Sequence, residues 1–487
     1  MGWLRKKFDL KLKKDAFPFQ KESFNLIKDN EYFAIFHEQG LGKTKIAIDL
    51  AYYWLESKSV DSVMIITKKS LIDNWINELH FHGNLPPIIL SSDKKSNFDK
   101  LAYPGYLYLI NYESLRSNLK AFESFLKFKK VGVILDESTV IKNPISKISI
   151  VMHKLAPLFK KRIIMTGTPI SNRPYDIWSQ IFFLDLGERL GESYQNFKDD
   201  YDLSNSLHDD PGGQIIFENN LKMLRNKIKD CNVRETKQSA GIELPGRRFT
   251  AEYIEMDAQQ KLLYEKMQID LSAEVFKDGK IISDDVEVIL KRLLRLVQIS
   301  SNPKLVDESY SNIPPKLAAV ENIVDEVVKN NSKVIIWTNF VENVDEICNF
   351  FKNYEAVGIH GKKDLKDRNK LLRLFKTDPN TKILVATPGV AREGLTLVEA
   401  NYAIFYDRNF SLENYLQAQD RIYRISQEKD CTIIKLLTAN SIDDWVDSLL
   451  DAKEVAARYA QGDIDKEEYN KRISYDFAEI LEDILRC

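Results

Sequence analysis

The segment from residue 40 to residue 44 has the residue types and the order that phosphate binding requires. It consists of Gly40, Leu41, Gly42, Lys43 and Thr44, between the apolar run "YFAIF" and a stretch with helical periodicity. Glycines let backbone N–H groups approach phosphate oxygens, and the positive N-terminal end of the following helix attracts the same anion. In such a loop Lys43 reaches the β- and γ-phosphates, and the Thr44 hydroxyl binds Mg²⁺. The segment predicts a nucleotide site, although His37 stands where the full Walker spacing has its first glycine.

A pair of carboxylates follows a second apolar run, "VGVILDE". Asp136 ends the expected strand, where it would hold the Mg²⁺ shell, and Glu137 beside it would orient and deprotonate the attacking water. The alternative is that the two carboxylates cap the helix that follows. Together with the phosphate loop, the pair indicates a hydrolytic nucleotide site.

A third candidate group lies near the end of the chain, in "NYLQAQDRIYRISQ". On a helix, Gln417, Arg421 and Arg424 fall at positions i, i+4 and i+7 and share one face. A guanidinium placed beside the γ-phosphate stabilises the charge of the transition state. A solvated face with salt bridges is the alternative for this segment alone, and the phosphate loop upstream favours the catalytic interpretation.

Short apolar runs of strand length would position these residues. Those between residues 32 and 170 are "YFAIF", "SVMIIT", "YLYLIN", "VGVILDE" and "RIIMTGT". Those after residue 330 are "KVIIWTN", "AVGIH", "KILVAT", "YAIFYD" and "CTIIKLL". Near-continuous apolar strands are typical of a parallel sheet that is covered by helices on both faces. The pattern predicts an α/β protein with two such lobes and a ligand site in the crevice between them.

We expect four regions along the chain: a first lobe over residues 15–186, a helical insertion over 187–300, a second lobe over 301–450 and C-terminal helices over 451–487. In the second region the strand pattern fades and charged helical patterns such as "NNLKMLRNKIKD" replace it. The proline pair in "SNIPPKL" interrupts helix and favours an extended entry to the second lobe.

Bulk composition excludes several classes of protein. A chain of 487 residues is too long for one hydrophobic core, and its net charge of -2 means that a nucleic-acid surface must be a local patch. The four cysteines include no CxxC pair, which argues against a zinc knuckle and a disulfide framework. No apolar run approaches the length of about 20 residues that a membrane helix needs. We therefore expect no membrane contact.

Over residues 19–445, these motifs resemble, in their order, those of the Swi/Snf-type ATPases, the double-stranded-DNA-translocating branch of helicase superfamily 2. The segment "HEQGLGKT" is similar to the family's phosphate loop, which also lacks the first Walker glycine. The most diagnostic matches are "MTGTPISNRPYDIWSQIFFLD" and "QAQDRIYRISQ". The resemblance implies two RecA-like lobes, ATP and Mg²⁺ as cofactors, and a motor that follows duplex DNA without separating its strands.

The resemblance also assigns roles to further residues. It implies that Gln20 reads adenine and that Gly394 belongs to the ATP site. It implies a coupling role, from ATP state to DNA contact, for Thr166, Gly167 and Thr168. The DNA contacts that it implies are Asn111, Tyr112, Thr338, Asn339, Thr387 and Arg392.

The expected partners are double-stranded or branched DNA and a possible protein partner that supplies targeting. The chain resembles a compact form of the family without accessory domains, and we expect a monomer. A prokaryotic or viral source would place it in the cytoplasm, and a eukaryotic source in the nucleus.

Two other functions remain open. The first is a strand-separating helicase of the same superfamily. The second is an ATP-gated DNA-binding or recruitment module that hydrolyses ATP weakly. Against this second alternative stands the intact catalytic set, which comprises Lys43, Asp136, Glu137, Arg421 and Arg424.

Overall fold

The computed structural model describes residues 10–103, 105–170, 172–201, 211–277, 280–281, 286–391 and 395–473. The chain forms two compact units, each built around its own parallel sheet. Unit 2 takes over from unit 1 at residue 243, and residues 457–464 belong again to unit 1. The two-lobe α/β architecture expected from the sequence is confirmed.

Seven strands of unit 1 form one sheet in the described part of the chain. They are β1 (Tyr32–Ile35), β2 (Ser62–Thr67), β3 (Ile88–Ile89), β4 (Leu107–Asn111), β5 (Val131–Asp136), β6 (Lys161–Met165) and β7 (Asn232–Val233). Their order is β3-β4-β2-β5-β6-β1-β7, and every neighbouring pair is parallel. Parallel pairing brings the carboxyl ends of β1, β5 and β6 to the same edge, where the phosphate loop, the acidic pair and the expected coupling segment begin.

Ten α-helices of unit 1 lie in the described part of the chain. They are α1 (Pro18–Ile27), α2 (Lys43–Glu56), α3 (Ile72–His82), α4 (Lys94–Ala102), α5 (Tyr112–Ser117), α6 (Leu119–Phe128), α7 (Lys147–Leu155), α8 (Trp178–Asp185), α9 (Tyr194–Tyr201) and α10 (Pro211–Ile228). In α2, Ile46, Leu50 and Trp54 recur every four residues and are fully buried in the core with Ile134 of β5. This apolar stripe holds the helix against the sheet and so fixes the helix end that follows the phosphate loop.

Unit 2 has a parallel sheet of six strands within the described residues. They are β8 (Arg247–Ile254), β11 (Val334–Trp337), β12 (Val357–Ile359), β13 (Ile383–Ala386), β14 (Tyr402–Phe405) and β15 (Cys431–Thr438). The order is β12-β13-β11-β14-β15-β8. A small antiparallel hairpin of β9 (Phe276–Lys277) and β10 (Lys280–Ile281) stands apart from this sheet.

The remaining helices belong wholly or mainly to unit 2. They are α11 (Ala258–Val275), α12 (Val286–Ser301), α13 (Pro315–Lys329), α14 (Val341–Phe350), α15 (Leu365–Thr377), α16 (Pro388–Ala391), α17 (Leu412–Gln419), α18 (Ile442–Gln461) and α19 (Lys466–Arg472). The extended Pro314 precedes α13, and Pro315 occupies its first turn, where a missing N–H costs nothing. The last residues of α18 belong to unit 1.

All ten strands expected from the apolar runs are present. The region expected to be a helical insertion differs, because it also contains strands β7 to β10, and the compact units divide within it rather than at its ends. Strand β8 reads "RRFTAEYI" and lies at the edge of its sheet with most of its residues exposed. An exposed edge strand needs no buried apolar run, so the pattern that signals the other strands is missing from it.

Candidate nucleotide site

The phosphate loop connects β1 to α2 and depends on its two glycines. Gly40 and Gly42 have φ angles of 86° and 67°, in the left-handed region that other residues enter only at a cost. A Cβ atom at Gly42 would lie 2.5 Å from Nε2 of Gln20. Gly42 precedes α2 as its N-cap and gives the helix end no side-chain acceptor. The first N–H groups of α2 are therefore placed as they are in anion-binding helix ends.

The ammonium group of Lys43 lies within this loop. Its Nζ atom donates hydrogen bonds to the carbonyl oxygens of His37 at 2.9 Å and of Glu38 at 3.3 Å. Thr44 follows in the first turn of α2 and is partly exposed. A cation and a hydroxyl are thus held at the helix end, as a triphosphate and its metal ion would require.

Asp136 lies at the carboxyl end of β5 and is held by two donors from neighbouring elements. Its Oδ2 atom accepts hydrogen bonds from the Thr67 hydroxyl at 2.9 Å and from Nε1 of Trp75 at 2.7 Å. Burial and the nearby Glu137 raise the pKa of Asp136 to about 6, while the two donors and Lys43 oppose the rise. A carboxylate that two donors orient is an oxygen ligand of the kind that Mg²⁺ takes, so Asp136 suits the expected metal.

Glu137 has an unusual backbone conformation for a non-glycine residue. Its φ and ψ angles are 52° and 55°, in the left-handed region, which costs about 1–2 kcal/mol for an L-residue. Its Oε2 atom is buried and has no hydrogen-bond partner within the described residues. Backbone strain concentrates at functional sites, and an unpaired carboxylate oxygen is suited to accept a proton.

The segment Thr166–Thr168 follows β6 and packs directly against the phosphate loop. A Cβ atom at Gly167 would lie 2.4 Å from Cγ of Gln39 and 3.4 Å from Nζ of Lys43. The Thr166 hydroxyl accepts a hydrogen bond from the backbone N–H of Thr168 at 3.2 Å. The segment and the phosphate loop are therefore in close contact, and the coupling role that the resemblance implies for the segment stays a prediction.

His37 joins three parts of unit 1. Its Nε2 atom hydrogen-bonds the Ser23 hydroxyl in α1 at 2.8 Å, and its Nδ1 atom accepts from the backbone N–H of Glu235 at 3.0 Å. Burial lowers the pKa of His37 to about 3, with smaller contributions from Lys43 and Arg234. The neutral imidazole is a structural hydrogen-bonding group of the loop, a role that its position in the sequence did not reveal.

The side-chain amide of Gln20 also connects α1 to the loop. Its Nε2 atom donates to the Leu41 carbonyl at 3.0 Å, and its Oε1 atom accepts from the backbone N–H of Phe17 at 3.0 Å. Gln20 therefore lies at the phosphate loop, as the motif match implies. Its contact with adenine stays a prediction.

Further polar contacts support the loop from the segment after β7. Arg234 donates to the Phe36 carbonyl at 2.6 Å and forms a paired contact with Asp463. The backbone N–H of Lys237 donates to Glu38 at 2.7 Å, and the two side chains form an ion pair at 3.2 Å. Sequence reasoning missed these supports, and the only local signal was a lone arginine in "CNVRETK".

In unit 2, the expectation of one continuous helix over Gln417, Arg421 and Arg424 is wrong. Helix α17 ends at Gln419, and both arginines lie in the turns that follow. Nε of Arg421 donates to the Gln417 carbonyl at 2.8 Å, and its Nη1 donates to the Leu395 carbonyl at 3.1 Å. Nη1 of Arg424 donates to the Thr396 hydroxyl at 2.6 Å. The two arginine side chains are still brought together at the segment 395–396, whereas the Gln417 side chain donates to Oε1 of Glu413 at 3.4 Å. Their roles at the γ-phosphate stay a prediction.

The side chains expected to contact DNA from unit 1 have partners within the unit. The Oδ1 atom of Asn111 caps α5 by accepting from the backbone N–H of Ser114 at 2.8 Å. The Tyr112 ring is buried, and its hydroxyl donates to the Asp136 carbonyl at 2.8 Å. Tyr112 thus supports the acidic pair, and a DNA contact by either residue stays a prediction.

Two of the candidates in unit 2 bond one buried carboxylate. Asp407 accepts from the Thr338 hydroxyl at 2.6 Å and from Nδ2 of Asn339 at 2.8 Å. Thr387 is buried at the end of β13. The remaining two, Arg392 and Gly394, lie outside the described residues.

Two family models match the chain. The one described as SNF2-related domain matches residues 29–305, more than half of the chain. The chain belongs to the SNF2 family. The second model, described as helicase conserved C-terminal domain, matches residues 315–426. The two matches together identify the chain as the ATP-dependent helicase/ATPase core of this family. The members of the family are ATP-dependent enzymes.

Curated relatives of this SNF2 core are considerably longer proteins. An uncharacterized ATP-dependent helicase of Mycoplasma genitalium is 27% identical over 90% of the chain, and one of Mycoplasma pneumoniae is 29% identical over 88%. The ISWI chromatin-remodeling complex ATPase ISW1 of Saccharomyces cerevisiae is 24% identical over 84%. The chain spans 41%, 40% and 37% of these relatives' lengths.

Among solved structures, the SNF2 core is similar to the Sulfolobus solfataricus SWI2/SNF2 ATPase core. The structure of that core in complex with dsDNA matches with 25% identity, 96% coverage of this chain, 99% coverage of the other and a TM-score of 0.42. The structure of the core domain alone matches with 25% identity, 100% and 98% coverage and a TM-score of 0.43.

The described residues of the SNF2 core include no helix long and apolar enough to cross a membrane. The same residues contain no cluster of three or more His, Cys, Asp or Glu side chains that would hold a metal ion unaided.

Proposed function

We propose that this chain hydrolyses ATP in response to duplex DNA and uses the energy to move along the duplex, where it remodels protein–DNA complexes or branched DNA. The observation that carries the proposal is the packing of Gly167 against Gln39 and Lys43. It supports the proposal because the segment implied to couple ATP state to DNA contact packs against the loop implied to hold phosphate.

Hydrolysis is assigned to the edge of the unit 1 sheet. Lys43 and the N-terminal end of α2 bind the phosphate oxygens, and Thr44 and Asp136 hold Mg²⁺. The metal ion, when bound, neutralises phosphate charge. Glu137 accepts the proton of the attacking water, for which its buried and unpaired Oε2 atom is suited.

Closure of the nucleotide site is assigned to Gln417, Arg421 and Arg424. Guanidinium groups beside the γ-phosphate stabilise the charge that develops during transfer. The donors that Arg421 and Arg424 give to the segment 395–396 set the direction of both side chains. A closed site excludes water, and its reopening after hydrolysis would drive each step along the DNA.

The DNA grip is proposed to involve backbone phosphates, which carry no sequence information. Binding should then be largely independent of sequence and should weaken with salt because counterions are released. A protein partner is proposed to supply targeting, and a monomer in the cytoplasm is the proposed working form.

The test is steady-state ATP hydrolysis with no nucleic acid, single-stranded DNA, duplex DNA, a four-way junction or RNA, at two salt concentrations. Strong stimulation by duplex or junction DNA that salt weakens is the expected result. Rates that no nucleic acid changes would overturn the motor proposal and leave the ATP-gated module. A strand-displacement assay with the same DNAs separates the translocase from the strand-separating helicase.

A further inference from the structure

A buried glutamine connects the two loops that flank the hydrolysis site. Gln180 lies in α8 and is completely buried. Its Oε1 atom accepts from the Ser138 hydroxyl at 2.7 Å, and its Nε2 atom donates to the carbonyls of Pro169 at 2.9 Å and Asp176 at 3.1 Å. Ser138 follows Glu137 directly, and Pro169 follows Thr168 directly. One side-chain amide therefore spans the general-base candidate and the coupling segment.

Neighbouring contacts strengthen this connection. Residues 138–142, which we call the acid turn, also contact α8 through the Ser179 hydroxyl, which donates to the Ile141 carbonyl. The side chains of Lys142 and Asp176 form an ion pair at 3.9 Å, and burial raises the pKa of Asp176. The acid turn is thus attached by polar contacts to the segment that leads from Pro169 into α8.

A glutamine at this place is unusual on energetic grounds. Residues 181–184, which follow it in α8, are apolar, and a buried amide costs free energy unless it is hydrogen-bonded. A leucine of similar size would fill the space without that cost. The amide is fully bonded, so its geometry is fixed by three partners rather than by packing alone.

The strained backbone of Glu137 makes the bonds of Gln180 relevant to catalysis. Its left-handed backbone is strained and persists only where the surroundings hold it. The hydrogen bond from the Ser138 hydroxyl to Gln180 fixes the residue directly after Glu137. Loss of that bond would let the turn relax and would displace the carboxylate from the attacking water.

We propose that Gln180 is a positioning residue for ATP hydrolysis. It fixes the acid turn, and with it Glu137, relative to the segment Thr166–Thr168. The inference rests on the proposed function, because it takes Glu137 as the proton acceptor. It adds a residue that acts on kcat through Ser138 and Pro169 and does not touch the nucleotide.

The test compares Gln180→Leu, Ser138→Ala and the double variant with the unchanged chain. We expect kcat for ATP without DNA to fall on the order of 10- to 100-fold in Gln180→Leu, because small misplacements of a catalytic group cost up to about 100-fold. KM and the affinity for a non-hydrolysable ATP analogue should change by less than about threefold, since no phosphate contact is lost. The double variant should lose no more than Gln180→Leu, because both changes cut the same connection.

Asn97→Ala is the matched control. Asn97 is also a fully buried amide of unit 1 and bonds the backbone of Ser91 through both of its polar atoms. Its loss should lower thermal stability without a selective loss of kcat. Ser138→Ala, which removes only one hydroxyl, keeps the test valid if Gln180→Leu fails to fold.

An unchanged kcat in both Ser138→Ala and Gln180→Leu would overturn the inference, and so would an equal kcat loss in Asn97→Ala. Because these rates are measured without DNA, they judge Gln180 even if duplex DNA stimulates no variant. A lack of stimulation by duplex DNA would overturn the motor proposal and leave the inference on Gln180 standing.

Discussion

Arg234 and Asp463 form a paired ionic contact across 229 residues of sequence. Nε and Nη2 of the guanidinium donate to the two carboxylate oxygens at 2.6 and 2.5 Å, and Nη1 donates to the Phe36 carbonyl at 2.6 Å. The two side chains are only 14% and 9% exposed. The segment after α18 is therefore held to the end of the strand that leads into the phosphate loop.

Asp463→Ala should destabilise unit 1. The change leaves the mostly buried guanidinium without its carboxylate, and breaking one side of a buried pair costs about 3–5 kcal/mol. The measurement is urea unfolding followed by a probe in unit 1. Glu467→Ala is the control, because its pair with Lys471 is exposed and contributes little. Equal effects of the two changes would contradict the prediction.

Lys43→Ala and Glu137→Gln should each abolish turnover for different reasons. Lys43→Ala removes the cation of the phosphate loop, so ATP affinity should fall with the rate. Glu137→Gln keeps the shape of the side chain but accepts no proton, so kcat should fall by a factor of about 10²–10⁴ while ATP binding persists. Nucleotide affinity and kcat are measured separately, with Glu123→Gln on α6 as the control. Turnover like that of the unchanged chain in Glu137→Gln would remove this residue from the general-base role.

Gly167→Ala should impair the ATP site although it replaces none of the residues assigned to bind the nucleotide. The new methyl group would meet Cγ of Gln39 at 2.4 Å and its backbone nitrogen at 3.1 Å, so the phosphate loop must shift. We expect kcat/KM for ATP to fall about tenfold or more, as small displacements at a catalytic site do. Gly361→Ala, where a Cβ atom meets nothing within 4 Å, is the control. A kcat/KM that matches the control would show that the loop adapts freely.

His37 should make unit 1 sensitive to acid. Burial lowers the pKa of His37 from 6.5 to about 3. Between pH 6.5 and pH 3, His37 is therefore protonated in the unfolded chain and neutral in the folded chain. The stability that depends on neutral His37 is complete above pH 6.5 and is lost as the pH falls towards 3. The pKa of Asp136, which is raised to about 6, has the opposite effect on stability as the pH falls. This effect is the same in the unchanged chain and in a His37→Gln variant, so a comparison of the two isolates His37.

The measurement is the unfolding free energy of the unchanged chain and of His37→Gln between pH 7.5 and pH 5. His37→Gln should be less stable at pH 7.5, because it loses two hydrogen bonds, and should lose less stability on acidification. Parallel curves would exclude His37 as a source of acid sensitivity.

Local patterns sufficed for the strands and for the phosphate loop. The ten apolar runs and the order of strand, glycines, Lys43 and helix are properties of neighbouring residues, and the structure reproduces them. The prediction of one helix that continues through Arg421 and Arg424 was wrong, because α17 ends at Gln419. The backbone of Arg421 instead accepts a hydrogen bond from the Leu397 N–H at 3.0 Å, a partner that no local period reveals.

The sequence by itself determined that the chain has two α/β lobes and that the first of them carries a phosphate loop and an acidic pair, since each feature depends on residues close in the chain. Only the tertiary structure decided what holds them in place. The bonds of Gln180 to Ser138, of His37 to Ser23 and of Arg234 to Asp463 join residues 42, 14 and 229 positions apart. Such contacts depend on the path of the whole chain, because a buried polar group bonds whichever partner the fold brings within reach.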